Sequence, residues 1–287
     1  MKILFIGGGN MSHAIISGLI SNRHSIFVID PVDLARKKIL KLTKQKSCKS
    51  SIEVFNDLKD FKKKDVRPLW IILAIKPQQV GLLYREILKA KINWLSKSSF
   101  LSIVAGLSIK TLKKITQSKN IVRAMPNTPA LIKMGVTGYY STRNNSLEIQ
   151  KQAIKILSQI GEVIKLPSEK MIDAVTAVSG SGPGYIFKFI SAIEQAAVNS
   201  GLPKSFASKV VFFTVIGSIK LWEKSDNSSE ELISTVASKG GTTQEALNYL
   251  ESKDFNYIID KAIAKAKTKS KTLSLEIDKQ IQEHTKK

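Results

Sequence analysis

Cysteine is almost missing from this chain: Cys48 stands alone, which excludes an intrachain disulfide and points to a reducing compartment. Histidine is nearly as scarce. His13, His24 and His284 lie far apart with no ligand spacing, so no metal site is expected. Acidic residues are few, 23 Asp and Glu against 45 Lys and Arg, and the net charge is +22. That imbalance invites a nucleic-acid reading. The distribution argues against it, because the basic residues are nearly all lysine and are spread from Lys37 through Lys64 and from Lys261 to Lys287, with no arginine cluster. A solvated lysine surface accounts for them, and nucleic acid is not an expected partner. Long apolar runs are also lacking. The run from Met1 ends at Gly7-Gly8-Gly9-Asn10, too early for a signal-peptide core, and Leu69 to Ile75 has the length of a strand. The expectation is a soluble, cytoplasmic protein without a membrane segment.

What is present organises into two halves. The length of 287 residues suits about two domains. Up to Leu166 short apolar runs alternate with mixed segments, as in a βαβ pattern. Ile3 to Ile6, Ile26 to Ile29, Leu69 to Leu73 and Phe100 to Val104 are continuously apolar, which predicts parallel strands buried on both faces. Ile121 to Met125 and Val136 to Tyr140 are later strands. Helices are expected at Met11 to Ser21, Leu34 to Thr43, Val80 to Leu88 and Leu147 to Gln159. After Pro167 strand signals vanish, and apolar residues recur at helical spacing. The expected fold class is therefore α/β, an N-terminal parallel-sheet domain (1–166) followed by an all-α domain (167–287). The second-half helices carry apolar residues on more than one face, as in Val210-Val211-Phe212-Phe213, which predicts packing against a second subunit.

Three segments carry the chemistry. Gly7-Gly8-Gly9-Asn10-Met11-Ser12 directly follows the first strand and opens the first helix, the context a G-x-G-x-x-G/A fingerprint needs. Gly7 makes the turn, Gly9 admits a pyrophosphate, and Ser12 replaces the third small residue. Asp30 ends the second strand, where an acid bonds an adenosine ribose hydroxyl; Arg36 and Lys37 offer an alternative partner for a 2′-phosphate. Ala74-Ile75-Lys76-Pro77-Gln78 leaves the sheet at its ligand-binding edge. The second segment, Ser179-Gly180-Ser181-Gly182-Pro183, interrupts two apolar helices and uncovers backbone amides. A tight helix connection is its bland alternative. The third is Ser238-Lys239-Gly240-Gly241-Thr242-Thr243, where the two threonines could equally be helix N-caps.

With Arg123-Ala124-Met125-Pro126-Asn127-Thr128-Pro129 added, these motifs closely resemble pyrroline-5-carboxylate reductases along essentially the whole chain. The resemblance implies reduction of 1-pyrroline-5-carboxylate to L-proline, the last step of proline biosynthesis, with NADPH or NADH as cofactor. It also implies a Rossmann dinucleotide-binding domain over residues 1–166, a helical substrate-binding and dimerisation domain over 167–287, a homodimer through the C-terminal helices and, often, further assembly into decamers. By the resemblance, Ile6, Gly7, Gly8, Gly9, Asn10, Met11 and Ser12 hold the pyrophosphate. Asn56 with Ala74, Lys76, Pro77 and Gln78 lines the adenosine side, with Asp30 at the ribose, and Met125, Pro126 and Asn127 lie beside the nicotinamide. Ser238, Gly240, Gly241, Thr242 and Thr243 grip the substrate carboxylate, Thr243 also faces the ring nitrogen as the catalytic residue, and Ser181 forms one wall. Lys239, Gly184 and Ser191 depart from the family pattern. Two alternatives stay open: a related imine or β-hydroxyacid reductase, and a non-catalytic homologue that acts as a binding protein.

Overall fold

A computed structural model describes residues 1–92 and 94–285; Lys286 and Lys287, the end of the lysine-rich tail, and the side chains of His284 and Thr285 lie outside the described residues. The continuously apolar segments become strands because helices cover both sides of the sheet. Strand β1 (Lys2–Ile6) sends Ile3 and Phe5 to one face and Leu4 and Ile6 to the other. In β2 (Ser25–Ile29) and β4 (Trp70–Leu73) the same alternation puts Val28 and Trp70 on the first face and Phe27 and Ile71 on the second. Apolar residues fill the buried positions of these three strands because both faces are dry there.

The remaining strands are β3 (Ser51–Phe55), β5 (Ser99–Ser102), β6 (Ile121–Met125), β7 (Gly135–Ser141) and β8 (Gly161–Lys165). They form one sheet in the order β3-β2-β1-β4-β5-β6-β7-β8. The first six run parallel, β7 is antiparallel to β6, and β8 is parallel to β7. This is the doubly wound arrangement, with its switch point between β1 and β4. The edge strands β3 and β8 escape the apolar pattern because each is half exposed.

On the first face lie α1 (Asn10–Leu19), α2 (Asp33–Leu40) and α6 (Leu147–Leu157). The second face is covered by α3 (Leu58–Lys62), α4 (Val80–Ala90), α5 (Ile109–Thr116) and, through Ile277 and Ile281, the end of α12 (Phe255–Thr285). Helix α5 was not expected from the sequence, although Ser108 caps it by accepting from the Thr111 amide at 3.1 Å.

By packing, the chain divides into residues 1–181 with 266–287 and residues 182–265. This differs from a division at 166/167. The helix α7 (Met171–Val175) and the segment after it bury Ile172 and Ala177 in the first unit, and the chain's last stretch returns there. The second unit holds α8 (Gly182–Asn199), α9 (Lys204–Glu223), α10 (Ser229–Val236), α11 (Thr242–Ser252) and the first part of α12. Among its described residues Ala207 and Val211 alone are buried. Phe206, Phe212 and Phe213 on α9 are 62%, 58% and 67% exposed. Helix α9 is long and apolar enough to cross a membrane by length and composition.

Candidate active site

The glycine turn has the shape a dinucleotide requires. Gly7 adopts φ +100°, and a Cβ there would overlap the Ala74 carbonyl oxygen, so no other residue fits. Its amide donates to the Ile29 carbonyl at 2.8 Å, and its carbonyl accepts from the Ser12 hydroxyl at 2.5 Å. Ser12 thus replaces the third glycine by clamping the turn from inside the first helical turn. A Cβ on Gly9 would meet nothing within 4 Å. That open space borders the first turn of α1, whose amides have no carbonyl four residues before them, and an anionic pyrophosphate fits it.

Beside this turn lies a cleft of ≈ 440 Å³ at the carboxyl ends of β1, β2 and β4. Of the expected cofactor residues, Ile6, Gly7, Gly9, Asp30, Asn56, Ala74 and Lys76 line it. Gly8 borders it through Asp30, because the Gly8 amide donates to Asp30 Oδ2 at 2.7 Å. Asn10 opens α1 and accepts from Lys38 Nζ at 2.9 Å, while Met11 follows it on the first turn. Pro77 and Gln78 stand in a short helical turn and are not among the residues lining the cleft; Gln79 is, and its Oε1 accepts from the Lys76 amide at 3.0 Å. Sequence reasoning missed Gln79, Glu86 and Lys38. Lys38 had no distinguishing signal within the run Arg36-Lys37-Lys38, and its turn toward Asn10 depends on how α2 packs on α1.

The electrostatics around Asp30 are specific. Asp30 also accepts the Val32 amide at 2.8 Å through Oδ1, so its carboxylate is bound to backbone on both oxygens and fixes the glycine turn. Each oxygen retains a lone pair for a hydroxyl. Arg36 donates to the Asp30 carbonyl at 2.6 Å and pairs with Asp33 at 3.2 Å, and Lys37 pairs with Asp33 at 2.7 Å. The Lys37 hydrogen bond, helped by both cations, holds the Asp33 carboxyl below its usual range. The two cations expected near a 2′-phosphate are therefore already engaged. Farther along the cleft, burial raises the Glu86 carboxyl and the Asp57 carboxylate pushes the same way.

At the end of β6, Met125, Pro126 and Asn127 are buried, and Asn127 Oδ1 accepts from the Val136 amide at 2.9 Å. Met125 lies against Gly180, with its Cγ 3.7 Å from where a Cβ would stand. Residues Thr176–Gly180 form a π-helical turn, and the Ser181 amide closes it on the Thr176 carbonyl at 2.9 Å. The sequence suggested a helix break; instead the helix widens by one residue before α8 begins at Gly182. Such π turns recur at functional sites. Ser179 spends its hydroxyl on the Val175 carbonyl at 3.1 Å, whereas Ser181 caps the turn and stays half-buried.

In the second unit, Gly240 turns the chain with φ +71°, and the Gly241 amide donates to the Ser238 carbonyl at 2.9 Å. The N-cap of α11 is Gly241, without a side-chain cap bond. Thr242 and Thr243 therefore stand inside the first helical turn and are not its N-caps. Thr243 is half-buried and Thr242 exposed, and among the described residues neither hydroxyl has a hydrogen-bond partner. No group of three or more His, Cys, Asp or Glu that could hold a metal ion occurs among the described residues.

A family model described as pyrroline-5-carboxylate reductase dimerisation matches residues 169–273, and one described as NADP oxidoreductase, coenzyme F420-dependent, matches residues 2–106. The pyrroline-5-carboxylate reductase of Pseudomonas aeruginosa is 32% identical over 95% of this chain and 97% of its own length. The chain belongs to the pyrroline-5-carboxylate reductase family. The solved pyrroline-5-carboxylate reductase of Coxiella burnetii superposes with a TM-score of 0.79 at 31% identity, covering 95% of this chain and 98% of that one. The Plasmodium falciparum enzyme, solved with NADP bound, gives a TM-score of 0.77 at 29% identity over 96% and 100% of the two chains. The dimerisation match spans α9 and supports a homo-oligomer formed through the C-terminal helices, the region that carries this apolar surface.

Proposed function

We infer that this chain reduces 1-pyrroline-5-carboxylate to L-proline with NADPH or NADH, the last step of proline biosynthesis. Family membership over nearly the full length of its relatives is the observation that carries this reading. When bound, the reduced nicotinamide supplies a hydride to the imine carbon. The chain's own task is to hold two anions and one ring in place. Residues Ile6 to Ser12 take the pyrophosphate, supported by the left-handed Gly7 and the open side of Gly9. Asp30, Asn56 and Lys76 take the adenosine side, with Met125, Pro126 and Asn127 beside the nicotinamide.

Ser238, Gly240, Gly241 and Thr242 hold the substrate carboxylate, and the amides at the start of α11 favour that charge. Thr243 hydrogen-bonds the ring nitrogen, orients the ring and stabilises the forming amine, with Ser181 as a wall of the site. No histidine base is required, because the imine arrives protonated. The division of labour follows residues 1–166 for the dinucleotide and 167–287 for substrate and dimerisation. A dimer through the C-terminal helices, with decamers as a further assembly, working in the cytoplasm without nucleic acid or membrane, completes the reading.

The test is oxidation of NADH and NADPH by the purified chain with 1-pyrroline-5-carboxylate, beside a panel of other cyclic imines and β-hydroxyacids. Turnover of 1-pyrroline-5-carboxylate above the panel is the expected result. Activity confined to another substrate would make the chain a related reductase, and cofactor binding without turnover would make it a binding protein.

A further inference from the structure

Arg123 is a buried charge that the reaction does not use. It stands on β6, two residues before Met125, and is 4% exposed. Its Nη1 donates to Glu169 Oε1 at 3.0 Å, and Nη2 stands 3.6 Å from Asp173 Oδ1, too long for a hydrogen bond. Glu169 Oε1 also accepts the Ile109 amide at 2.8 Å, at the start of α5. Asp173 Oδ1 accepts the Ser270 hydroxyl at 2.9 Å, and Ser270, on α12, is 2% exposed. Thr111 of α5 bonds Asp278 of α12. One guanidinium thus joins β6, α5, α7 and the end of α12.

The desolvation of such a group is costly, and apolar residues of similar volume commonly serve stability as well or better. Its Nε and Nη2 even lack hydrogen-bond partners, a shortfall that calls for an explanation. The geometry supplies one. Asp173 lies on α7, which runs directly into the π turn Thr176–Gly180, and Met125 rests on Gly180. The planar fork of Arg123 spans from the strand that ends in Met125 to the helix that ends in Ser181.

We propose that Arg123, through Glu169 and Asp173, is a positioning residue that sets the Met125–Asn127 segment against the Thr176–Ser181 turn for hydride transfer. This rests on the reading that Met125 borders the nicotinamide. A misplacement of a few tenths of an ångström there slows the reaction while the pyrophosphate and adenosine contacts, which lie at β1, β2 and β4, persist.

The test uses the full-length oligomer and measures kcat, KM for 1-pyrroline-5-carboxylate, the Kd of the reduced cofactor by fluorescence, and Tm. For Arg123→Lys and Glu169→Ala, kcat is expected to fall about 10- to 100-fold, with KM and Kd within about threefold. Glu169→Gln keeps an oxygen that can accept from both Ile109 and Arg123, and is expected to restore kcat to within about threefold of the parent. Should Arg123→Lys fail to fold, the pair Glu169→Ala and Glu169→Gln carries the test alone, the first expected to lower kcat about 10-fold or more relative to the second. Unchanged kcat in the folded variants, with Tm lowered, would make the network purely structural and overturn the proposal. Failure of the parent chain to reduce 1-pyrroline-5-carboxylate would instead strike the functional reading beneath it.

Discussion

Two tryptophans measure the contrast between the halves of this molecule. Trp70, in the middle of the sheet, is fully buried and donates to Gln152 Oε1 at 2.7 Å; Trp222, at the end of α9, is 51% exposed. The sheet unit completes its own core on both faces, whereas the helical unit, taken as one subunit, leaves nearly every apolar side chain at least partly exposed. The first kind of apolar residue is explained by one chain. The second kind must find its cover outside the subunit, which hydropathy alone reads as a membrane and the dimerisation match over residues 169–273 reads as another subunit.

The largest effect should come from breaking the assembly. Phe213→Asp replaces an exposed ring of α9 with a charge in each subunit, and is expected to cost dimerisation about 3–6 kcal/mol, more than 100-fold in Kd. Sedimentation should show monomers, while circular dichroism and cofactor binding show an intact sheet unit. A variant that stays dimeric would place the interface on another face of α9. Next, Thr243→Val should lower kcat about 100-fold with cofactor affinity nearly intact; near-parental turnover would remove Thr243 from the chemistry.

Gly7→Ala tests the other half of the contrast. Forcing a Cβ onto φ +100° should cost about 1–3 kcal/mol of strain, read as a 10- to 100-fold loss in cofactor affinity with the dimer unaffected. Asp30→Ser is a smaller change. It should weaken NADH binding about tenfold by releasing the Gly8 amide and a ribose acceptor, and shift preference toward NADPH. If the preference stays the same, Asp30 serves the turn alone. Smallest is Ser108→Ala, which removes the cap of α5 and should lower stability by about 1 kcal/mol in chemical denaturation.

The sheet was legible in the sequence at β1, β2 and β4, whose buried positions are all apolar, whereas Ser102 of β5 and Arg123 of β6 are polar residues buried in the same sheet. It was illegible at β3, where Ser51 and Glu53 sit on a half-exposed edge; β7 was legible as a strand, but its reversed direction leaves no mark on composition. The glycine turn was readable because each backbone constraint names its residue type and spacing. The Asp30 bond to Gly8, the Lys38 reach to Asn10 and the network around Arg123 were not, because they join residues that only the folded chain brings together. Ile277 and Ile281, set among lysines and polar residues, looked like part of a solvated tail, yet they close the second face of the sheet.

That closure reverses the order of synthesis. On the ribosome, Leu107, Leu112 and the residues around them emerge long before Ile277 and Ile281, with which they share a core. Helix α12 of 31 residues, a rod of about 46 Å by its rise per residue, carries the closing segment last. A nascent chain that has reached Lys265 therefore holds every strand of the sheet with an apolar flank still open, and that flank is covered only once Ile277 and Ile281 have been made.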